Sequence, residues 1–287
     1  MPSTTASWAR PIQSFEEIPH VFKECIPPSE LLPYIIYSPA DNWGKRLINA
    51  KLTCMYQDKV VVLEVIKNKV NTVCYWFKDI HYIEQGTMLL YSWIGIHGFV
   101  DGALSISIIE YNSVVTPYFH PIVKAIRQIH PISKTISDNR DLSKLEFLER
   151  CNYKFYNYSQ ESILSGEKII ETVYQPEVYE KFIMLFTRIV TLAHLTILTD
   201  KELIIIKEEV LVEVKKKSNA KNGGVWAYIP LHKILDITIS SNEKRKDLIT
   251  FVISVKQDKI SLRFSSLKRF NLEALIAEFK AISKLDN

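Results

Sequence analysis

Residues 259–282 read KISLRFSSLKRFNLEALIAEFKAI, a short alternating strand followed by an amphipathic helix. In the strand, Ile260, Leu262 and Phe264 face one side and polar residues face the other, which is the two-residue period of a half-buried strand. A helix is predicted to begin near Asn271, which would serve as its N-cap. Its apolar positions begin with i, i+3, i+4, i+7 spacing and are Leu272, Leu275, Ile276, Phe279 and Ile282. The stretch therefore predicts a β-rich domain closed by a C-terminal helix.

Six further apolar runs precede this strand in the second half of the chain. With it they give seven predicted strands: Ile169–Tyr174, Val190–Leu198, Leu203–Val210, Trp226–Leu231, Leu235–Ser240, Leu248–Val255 and Ile260–Ser265. Bending such a sheet into a partly open barrel would pair most of its edge groups. The helix would then plug one end, with Ile276 and Phe279 against the inward positions Ile237, Ile239, Leu262 and Phe264.

A looser copy of this pattern occupies the first half. Three seven-residue runs separated by three-residue polar turns, Ala50–Tyr56, Val60–Ile66 and Val70–Trp76, have meander spacing. Further strands are predicted at Ile80–Ile83, Met88–Ile96 and Leu104–Ile109, with a turn at Gln85-Gly86. A short helix after Pro117 would present Ile122, Ile126 and Ile129.

Four segments follow from these patterns. Residues 1–48 are predicted to be an N-terminal arm packed on the first domain, and residues 49–131 a first β domain. Residues 132–166 are a helical connector whose helix would start at Leu142 with Asp141 as cap. Its apolar face would be Leu145, Leu148, Cys151 and Phe155, and residues 167–287 form the second β domain.

Two strings in the second half, Thr196–Ile206 (TILTDKELIII) and Tyr228–Ile239 (YIPLHKILDITI), resemble bacterial pleckstrin-homology-like (PH-like) and GRAM-like domains. The resemblance implies two PH-like, mainly β, partly open antiparallel barrels, each closed by a C-terminal α-helix, and a bacterial source. For Ala50–His130 it rests on strand order alone. This superfold hosts lipid, peptide and protein binding, so the resemblance indicates a fold without fixing a function.

Composition narrows the class of protein. The net charge is +4, and the residues from Arg150 onward carry 22 Lys and Arg against 17 Asp and Glu. This is weaker than the basic stripe of a nucleic-acid binder, so no nucleic-acid partner is expected. Four cysteines without CxxC spacing and an N-terminus without an apolar core predict a cytoplasmic protein without disulfides. The best membrane-span candidate, Met88–Ile109, alternates like strands.

Two basic tips are candidate contacts for an anionic surface. One loop holds Lys215, Lys216, Lys217 and Lys221, and a second tip holds Lys244, Arg245 and Lys246. Four lysines without interleaved aromatic residues also describe a solvated hairpin tip, and that interpretation is favoured. In lipid-binding PH domains the loop after the first strand is basic. Here that segment contains Lys181 and Arg188 beside Glu177 and Glu180. This mixture of charges predicts a poor anion-binding site.

No catalytic, cofactor-binding or metal site is predicted. Phosphate-loop, GxGxxG, GxSxG and HExxH motifs do not occur in the sequence. His97, with Asp101 four residues on, is interpreted as part of a polar turn, because a third metal ligand with suitable spacing is missing. His194 lies within an apolar strand and is interpreted as a hydrogen-bonded core residue.

These patterns predict a non-catalytic binding or scaffold protein that recognises a protein or peptide partner. The alternative is a peripheral membrane module that binds anionic lipid through the basic loops. A third class, an enzyme with a site between the domains, would need a deep polar pocket with clustered titratable groups. Exposed edge strands also predict self-association as a homo-oligomer.

Overall fold

The computed structural model describes residues 8–27, 32–43, 46–128, 142–182, 186–208, 223–242 and 245–283. Within these ranges the chain is mainly β and its sheets are antiparallel, which confirms the predicted fold class at that level. The chain divides into two compact units, Met1–Ile129 and His130–Asn287. The segment 1–48, predicted as an arm, belongs to unit 1, and the connector 132–166 belongs to unit 2.

Unit 1 contains ten described strands and two described α-helices. The strands are β1 (Arg10–Ile12), β2 (Tyr34–Ser38), β3 (Asp41–Trp43), β4 (Arg46–Ile48), β5 (Lys51–Met55), β6 (Lys59–Ile66), β7 (Lys69–Trp76), β8 (Ile80–Met88), β9 (Tyr91–Val100) and β10 (Ala103–Asn112). The helices are α1 (His20–Lys23) and α2 (Thr116–Arg127), and short 3-10 turns precede β8 and α2.

The strands of unit 1 form a large sheet and a meander. The large sheet has the order β1-β2-β5-β6-β7, in which Ile36 pairs with Thr53 and Thr53 with Val62. Strands β8, β9 and β10 follow as consecutive antiparallel neighbours, and β3 and β4 form a separate hairpin between β2 and β5. Helix α2 contacts β8, and its Phe119 stacks on Tyr111 of β10 at a ring-centroid distance of 4.0 Å.

The N-terminal segment covers the outer face of the large sheet. Its apolar side chains form one buried cluster with alternate residues of β2, β5 and β6: Ile12, Ile18, Phe22, Ile26, Ile35, Leu52, Cys54 and Leu63. Strand β5 is consequently buried on both faces. A strand buried on both faces has no polar face to alternate with the apolar one.

Unit 2 contains nine described strands and three described α-helices. The strands are β11 (Ile169–Gln175), β12 (Val178–Phe182), β13 (Phe186–Thr191), β14 (His194–Thr199), β15 (Glu202–Glu208), β16 (Gly223–Pro230), β17 (Asp236–Asn242), β18 (Arg245–Val255) and β19 (Asp258–Ser265). The helices are α3 (Glu146–Cys151), α4 (Tyr153–Ser162) and α5 (Arg269–Ser283).

Four of these strands, in the order β11-β14-β15-β16, are hydrogen-bonded neighbours. Strands β17, β18 and β19 form a three-stranded antiparallel sheet, and β12 pairs with β13 as a hairpin between β11 and β14. Helix α5 contacts β11 and β17, with Leu272, Leu275 and Phe279 buried and Ile276 half-buried. Leu262 and Phe264 are buried while Arg263 is exposed, which confirms the predicted alternation.

Helix α4 packs on the outer face of the four-stranded sheet. Its Tyr158 meets Trp226 edge-on at 4.8 Å between ring centroids, and its Lys154 Nζ lies 3.3 Å from Glu208 Oε1. With α4 on one side and the core on the other, every residue of β14 is buried. This explains the apolar runs on either side of Asp200-Lys201, because both faces of β14 and β15 pack against protein.

Both units therefore have the same element order. Each has a first strand, an inserted hairpin, three more strands, a 3-10 turn, a three-stranded meander, a second 3-10 turn and a helix. In unit 1 the first strand is β2, inside the segment predicted as an arm, and in unit 2 it is β11. The backbone pairing of the described residues falls into separate sheets and does not close a barrel in either unit.

Several local predictions were wrong. The turn predicted at Gln85-Gly86 lies at Leu89-Leu90, since β8 continues past Gly86. Gly86 stands opposite Trp93, and a Cβ there would approach the indole at 2.0 Å. A glycine in a strand can mark such a close approach rather than a turn.

The helix boundaries also differ from the prediction. Helix α5 starts at Arg269 rather than at Asn271, and the Ser265 side chain caps the 3-10 turn before it. The connector is divided at Asn152, which caps α4 through its side chain, and Cys151 is exposed rather than apolar-facing. The predicted cap Asp141 lies outside the described residues.

Candidate anion-binding pocket

A pocket of about 320 Å³ lies in unit 2 between β13 and the sheet formed by β17, β18 and β19. Three strands contribute its lining, namely β13, β18 and β19. The lining residues are Arg188, Ile189, Val190, Arg245, Leu248, Thr250 and Arg263. Arginines from three strands therefore line one cavity.

Strand order brings these arginines together. The hairpin β12–β13 continues the β11–β14 pair, with Thr191 opposite Val178 at its base. Arg263 of β19 pairs directly with Thr250 of β18, so both project from the same face of that sheet. Leu248, two residues before Thr250, lies on this face as well and is buried.

Two of the three guanidinium groups are held by carboxylates. Glu180 Oε2 accepts a hydrogen bond from Arg188 Nε at 2.9 Å and lies 3.1 Å from Arg245 Nη1. Asp247 binds Arg245 through two hydrogen bonds, from Nε at 3.0 Å and from Nη2 at 2.8 Å. Hydrogen bonds from Arg188 and Arg245 lower the pKa of the Glu180 carboxyl, and the bond from Arg245 lowers that of Asp247.

Arg263 differs from the other two arginines. It is exposed, and within the described part of the chain it has no hydrogen-bond or ion-pair partner. The three arginines, Glu180 and Asp247 together carry a net charge of +1. The pocket is thus a concave, positively charged surface in which one guanidinium has its donors available to an incoming anion.

The structure brings only one of the predicted basic residues into this pocket. Arg245 lines it, whereas Lys246 is exposed on the neighbouring position of β18. The lysines 215, 216, 217, 221 and 244 lie outside the described residues. In the sequence, Glu180 offsets the charge of Arg188. That carboxylate instead links Arg188 to Arg245, a contact that spacing along the chain gives no sign of.

Unit 1 contains a buried ionic cluster. Lys51 Nζ lies 3.0 Å from Glu110 Oε2 and 3.2 Å from Glu64 Oε1. Tyr91 Oη donates to Glu110 Oε1 at 3.3 Å, and Asn49 Nδ2 donates to Glu64 Oε1 at 2.9 Å. Lys51 is 4% exposed and Glu110 6%, so the cluster joins β5 to β10 inside the unit. Its groups satisfy one another, as buried charges require.

The predicted polar turn at His97 was wrong. His97 is a buried residue within β9, where its ring stacks on Tyr82 at 4.1 Å and its Nε2 lies 3.5 Å from Glu84 Oε2. Its Nδ1 has no hydrogen-bond partner among the described residues. The alternating run around it signalled a strand, but the flanking glycines Gly95 and Gly98 suggested a turn.

His194 is the hydrogen-bonded core residue that the sequence predicted. Its Nδ1 lies 2.9 Å from the Leu192 carbonyl oxygen, and its ring meets Phe264 of β19 edge-on at 4.5 Å. Burial lowers the pKa of this imidazole to about 4. His194 is therefore neutral at pH 7, and its ring packs as part of the core.

Comparison with protein-family models and with curated proteins gave no match for this chain.

The four cysteines are free thiols, and burial raises the pKa of the Cys54 thiol to about 12. Among the described residues, no helix has both the length and the apolar character needed to cross a membrane.

Proposed function

We propose that the chain is a tandem of two PH-like modules that acts as a non-catalytic binding or scaffold protein for a protein or peptide partner in the cytoplasm. The observation that carries this proposal is the repeated element order of the two units. Four strands, three strands and a C-terminal helix follow in the same sequence in each, and this is the order of the PH-like superfold. Each unit would form a partly open barrel with α2 or α5 at one end.

Exposed strand edges support a protein or peptide partner. Within the described residues β10 pairs with β9 alone, and Leu104, Ile106 and Ile108 along it are exposed. An open strand edge offers backbone donors and acceptors to an extended segment of another chain. The same edge supports self-association, which sedimentation of the purified chain would measure.

Capture and reconstitution test this function. The tagged chain is crosslinked in cells of its source, and captured proteins are purified and titrated against it by calorimetry. We expect at least one purified protein or peptide to bind saturably with defined stoichiometry. Catalytic turnover of a substrate at a mapped site of this chain would contradict a non-catalytic role.

Vesicle co-sedimentation distinguishes a membrane module. Binding to anionic vesicles that weakens with salt, and with Lys215, Lys216 and Lys217 all changed to Glu, would favour the lipid-binding alternative. We expect no such binding, because carboxylates neutralise the basic tip that the structure describes. Arg245 carries Asp247 as a bidentate partner and Glu180 as a second one.

A further inference from the structure

We propose that the pocket between β13 and the β17–β18–β19 sheet binds a single phosphate monoester carried by a side chain of a peptide partner. This inference rests on the proposed function and names the chemistry that the partner would present. Its basis is the convergence of Arg188, Arg245 and Arg263 on one cavity of about 320 Å³.

Guanidinium groups suit this ligand for geometric reasons. A planar guanidinium donates two parallel hydrogen bonds to an oxyanion, and such charge-assisted bonds are shorter and stronger than neutral ones. A phosphate monoester offers three terminal oxygens and a charge of about −1.5 to −2 at pH 7. Arginines that approach from three strands can each address a different oxygen.

The carboxylates of the pocket hold two of the arginines in place. Glu180 ties Arg188 to Arg245, and Asp247 holds the other side of the Arg245 guanidinium. A flexible arginine loses side-chain freedom when it binds a ligand, so prior fixation reduces that cost. Arg263, without such a partner, supplies the available donors.

The same carboxylates argue against an extended anionic membrane. A membrane surface presents many negative charges, and each nearby basic residue contributes only about 1 kcal/mol to its attraction. Three arginines less two carboxylates leave a net charge of +1 at the pocket. Asp247, whose side chain is 57% exposed, would face that surface and be repelled. A single phosphate on a peptide contacts the guanidiniums without presenting further negative charges to Asp247.

The binding test uses the whole chain and a short peptide with one phosphoserine, together with the same peptide carrying serine. Binding is followed by calorimetry at constant ionic strength, with inorganic phosphate as a second probe. We expect saturable 1:1 binding of the phosphopeptide, weaker binding of inorganic phosphate at the same site, and none of the serine peptide. Equal binding of both peptides, or no binding of either phosphate probe, overturns the proposal.

Variants locate the binding. Arg263→Gln should weaken phosphopeptide binding by about tenfold to a hundredfold, the effect of losing a hydrogen bond to a charged group. Arg150→Gln is the matched control, since Arg150 is exposed on α3, is not paired within the described residues and lies outside the pocket. Equal loss in both variants, or no loss in Arg263→Gln, contradicts the assignment.

A variant with the opposite sign adds a further test. Glu180→Gln keeps a side-chain oxygen that can accept hydrogen bonds from Arg188 and Arg245 but removes one negative charge, so it should strengthen phosphopeptide binding by up to about fivefold. Weaker binding in Glu180→Gln would contradict the account of the pocket's charge. Binding to anionic vesicles that Arg263→Gln abolishes, without phosphopeptide binding, would assign the pocket to a lipid headgroup and overturn the peptide ligand.

The proposed function and this inference can fail separately. A purified partner that binds wild type and Arg263→Gln equally would preserve the binding function and overturn the phosphate pocket. Phosphopeptide binding that depends on Arg263, together with failure to reconstitute any partner complex, would preserve the pocket and leave the scaffold role contradicted.

Discussion

Lys51 in unit 1 and His194 in unit 2 occupy the same point of the same strand order. Each is the first residue of the strand after the inserted hairpin, and each pairs across the sheet with the last residue of the first strand, Ser38 or Gln175. Each also reaches the last strand of its meander. Lys51 binds Glu110 of β10 through an ion pair, whereas His194 contacts Phe264 of β19 through a neutral ring.

The element order therefore does not depend on one chemistry at this junction. A buried ion pair fills this position in unit 1. A buried neutral imidazole fills it in unit 2, where Nδ1 lies 2.9 Å from the Leu192 carbonyl oxygen and Nε2 has no hydrogen-bond partner among the described residues. What the two units share is the pattern of apolar residues along strands and on the final helix. Substitutions that disrupt the final helix should therefore destabilise both units alike. Substitutions of Lys51 and His194 should affect the stability of the two units differently.

The largest effect is expected from a charge placed under either final helix. Phe119 of α2 is fully buried and Phe279 of α5 nearly so. Truncating such a Phe costs about 3–5 kcal/mol, and a buried carboxylate costs more. Phe119→Asp and Phe279→Asp should each unfold their own unit in a thermal melt followed by circular dichroism.

Phe270→Asp is the matched control, because Phe270 lies on α5 but is 80% exposed. Its melt should match that of the wild type. An unchanged melt in Phe279→Asp would show that α5 does not close unit 2. Unfolding by only one of the two core variants would break the equivalence of the units.

The next largest effect is specific to unit 1. Lys51→Met leaves the Glu110 carboxylate buried without its cation, and breaking a buried pair in this way costs about 3–5 kcal/mol. Chemical denaturation should show this loss, and Lys69→Met, at an exposed position of β7, should show almost none. A loss below about 1 kcal/mol in Lys51→Met would mean that the cluster is solvated rather than buried.

A smaller effect, specific to unit 2, depends on pH. Burial lowers the pKa of His194 from 6.5 to about 4, so the unfolded chain takes up a proton more readily than the folded one. The stability that the neutral imidazole provides is complete above about pH 6.5 and is lost as the pH falls toward 4. That loss totals roughly 3 kcal/mol.

His194→Asn can keep a donor to the Leu192 carbonyl. It should reduce the slope of the unfolding free energy against pH in this range by the equivalent of about one proton. The free energy of unfolding between pH 7 and pH 4 measures it. The exposed His120 of α2 provides the control His120→Asn, in which the acid sensitivity of the wild type should remain. An unchanged profile in His194→Asn would place the imidazole in contact with water.

The smallest effects concern the turn between the last two strands of each unit. Gly102 of unit 1 has φ +80°, and a Cβ there would meet no atom within 4 Å. Gly102→Ala should therefore cost about 1–2 kcal/mol, which comes from backbone strain and not from a steric clash. Lys256 occupies the corresponding turn of unit 2 with φ 50°. Lys256→Asn should stabilise by about 0.5–1 kcal/mol, since Asn tolerates this conformation. A change in stability of the same sign in Gly102→Ala and Lys256→Asn would contradict the equivalence of these two turns.

The strands that alternate or end in polar turns could be predicted from the sequence. Val60–Ile66 and Leu248–Val255 lie within observed strands, because alternation and turn residues are local signals. The β12–β13 hairpin was missed because the residues between its strands, Ile183, Met184 and Leu185, are apolar rather than turn-forming. The start of α5 was misplaced because Asn271 suits a cap locally, while the chain enters its helix through a 3-10 turn.

The pocket could not be predicted in the same way. Arg188, Arg245 and Arg263 are far apart in the sequence and meet only because β13 lies beside β18 and β19. Arg245 was selected for its basic neighbours, Lys244 and Lys246, which is a different reason from its place in the cavity. Tertiary pairing of strands decides such a site, and no local spacing encodes it.

The equivalence of the two units is tested most directly by strand pairing across each inserted hairpin. Amide–amide NOEs measured on the deuterated whole chain should connect β2 with β5 around Ile36 and Thr53. They should also connect β11 with β14 around Val173 and Thr196. Both sets are expected in the same sample. Cross-strand NOEs in one unit alone, or a register in which Ile36 pairs with a residue of β5 other than Thr53, would contradict the repeated fold.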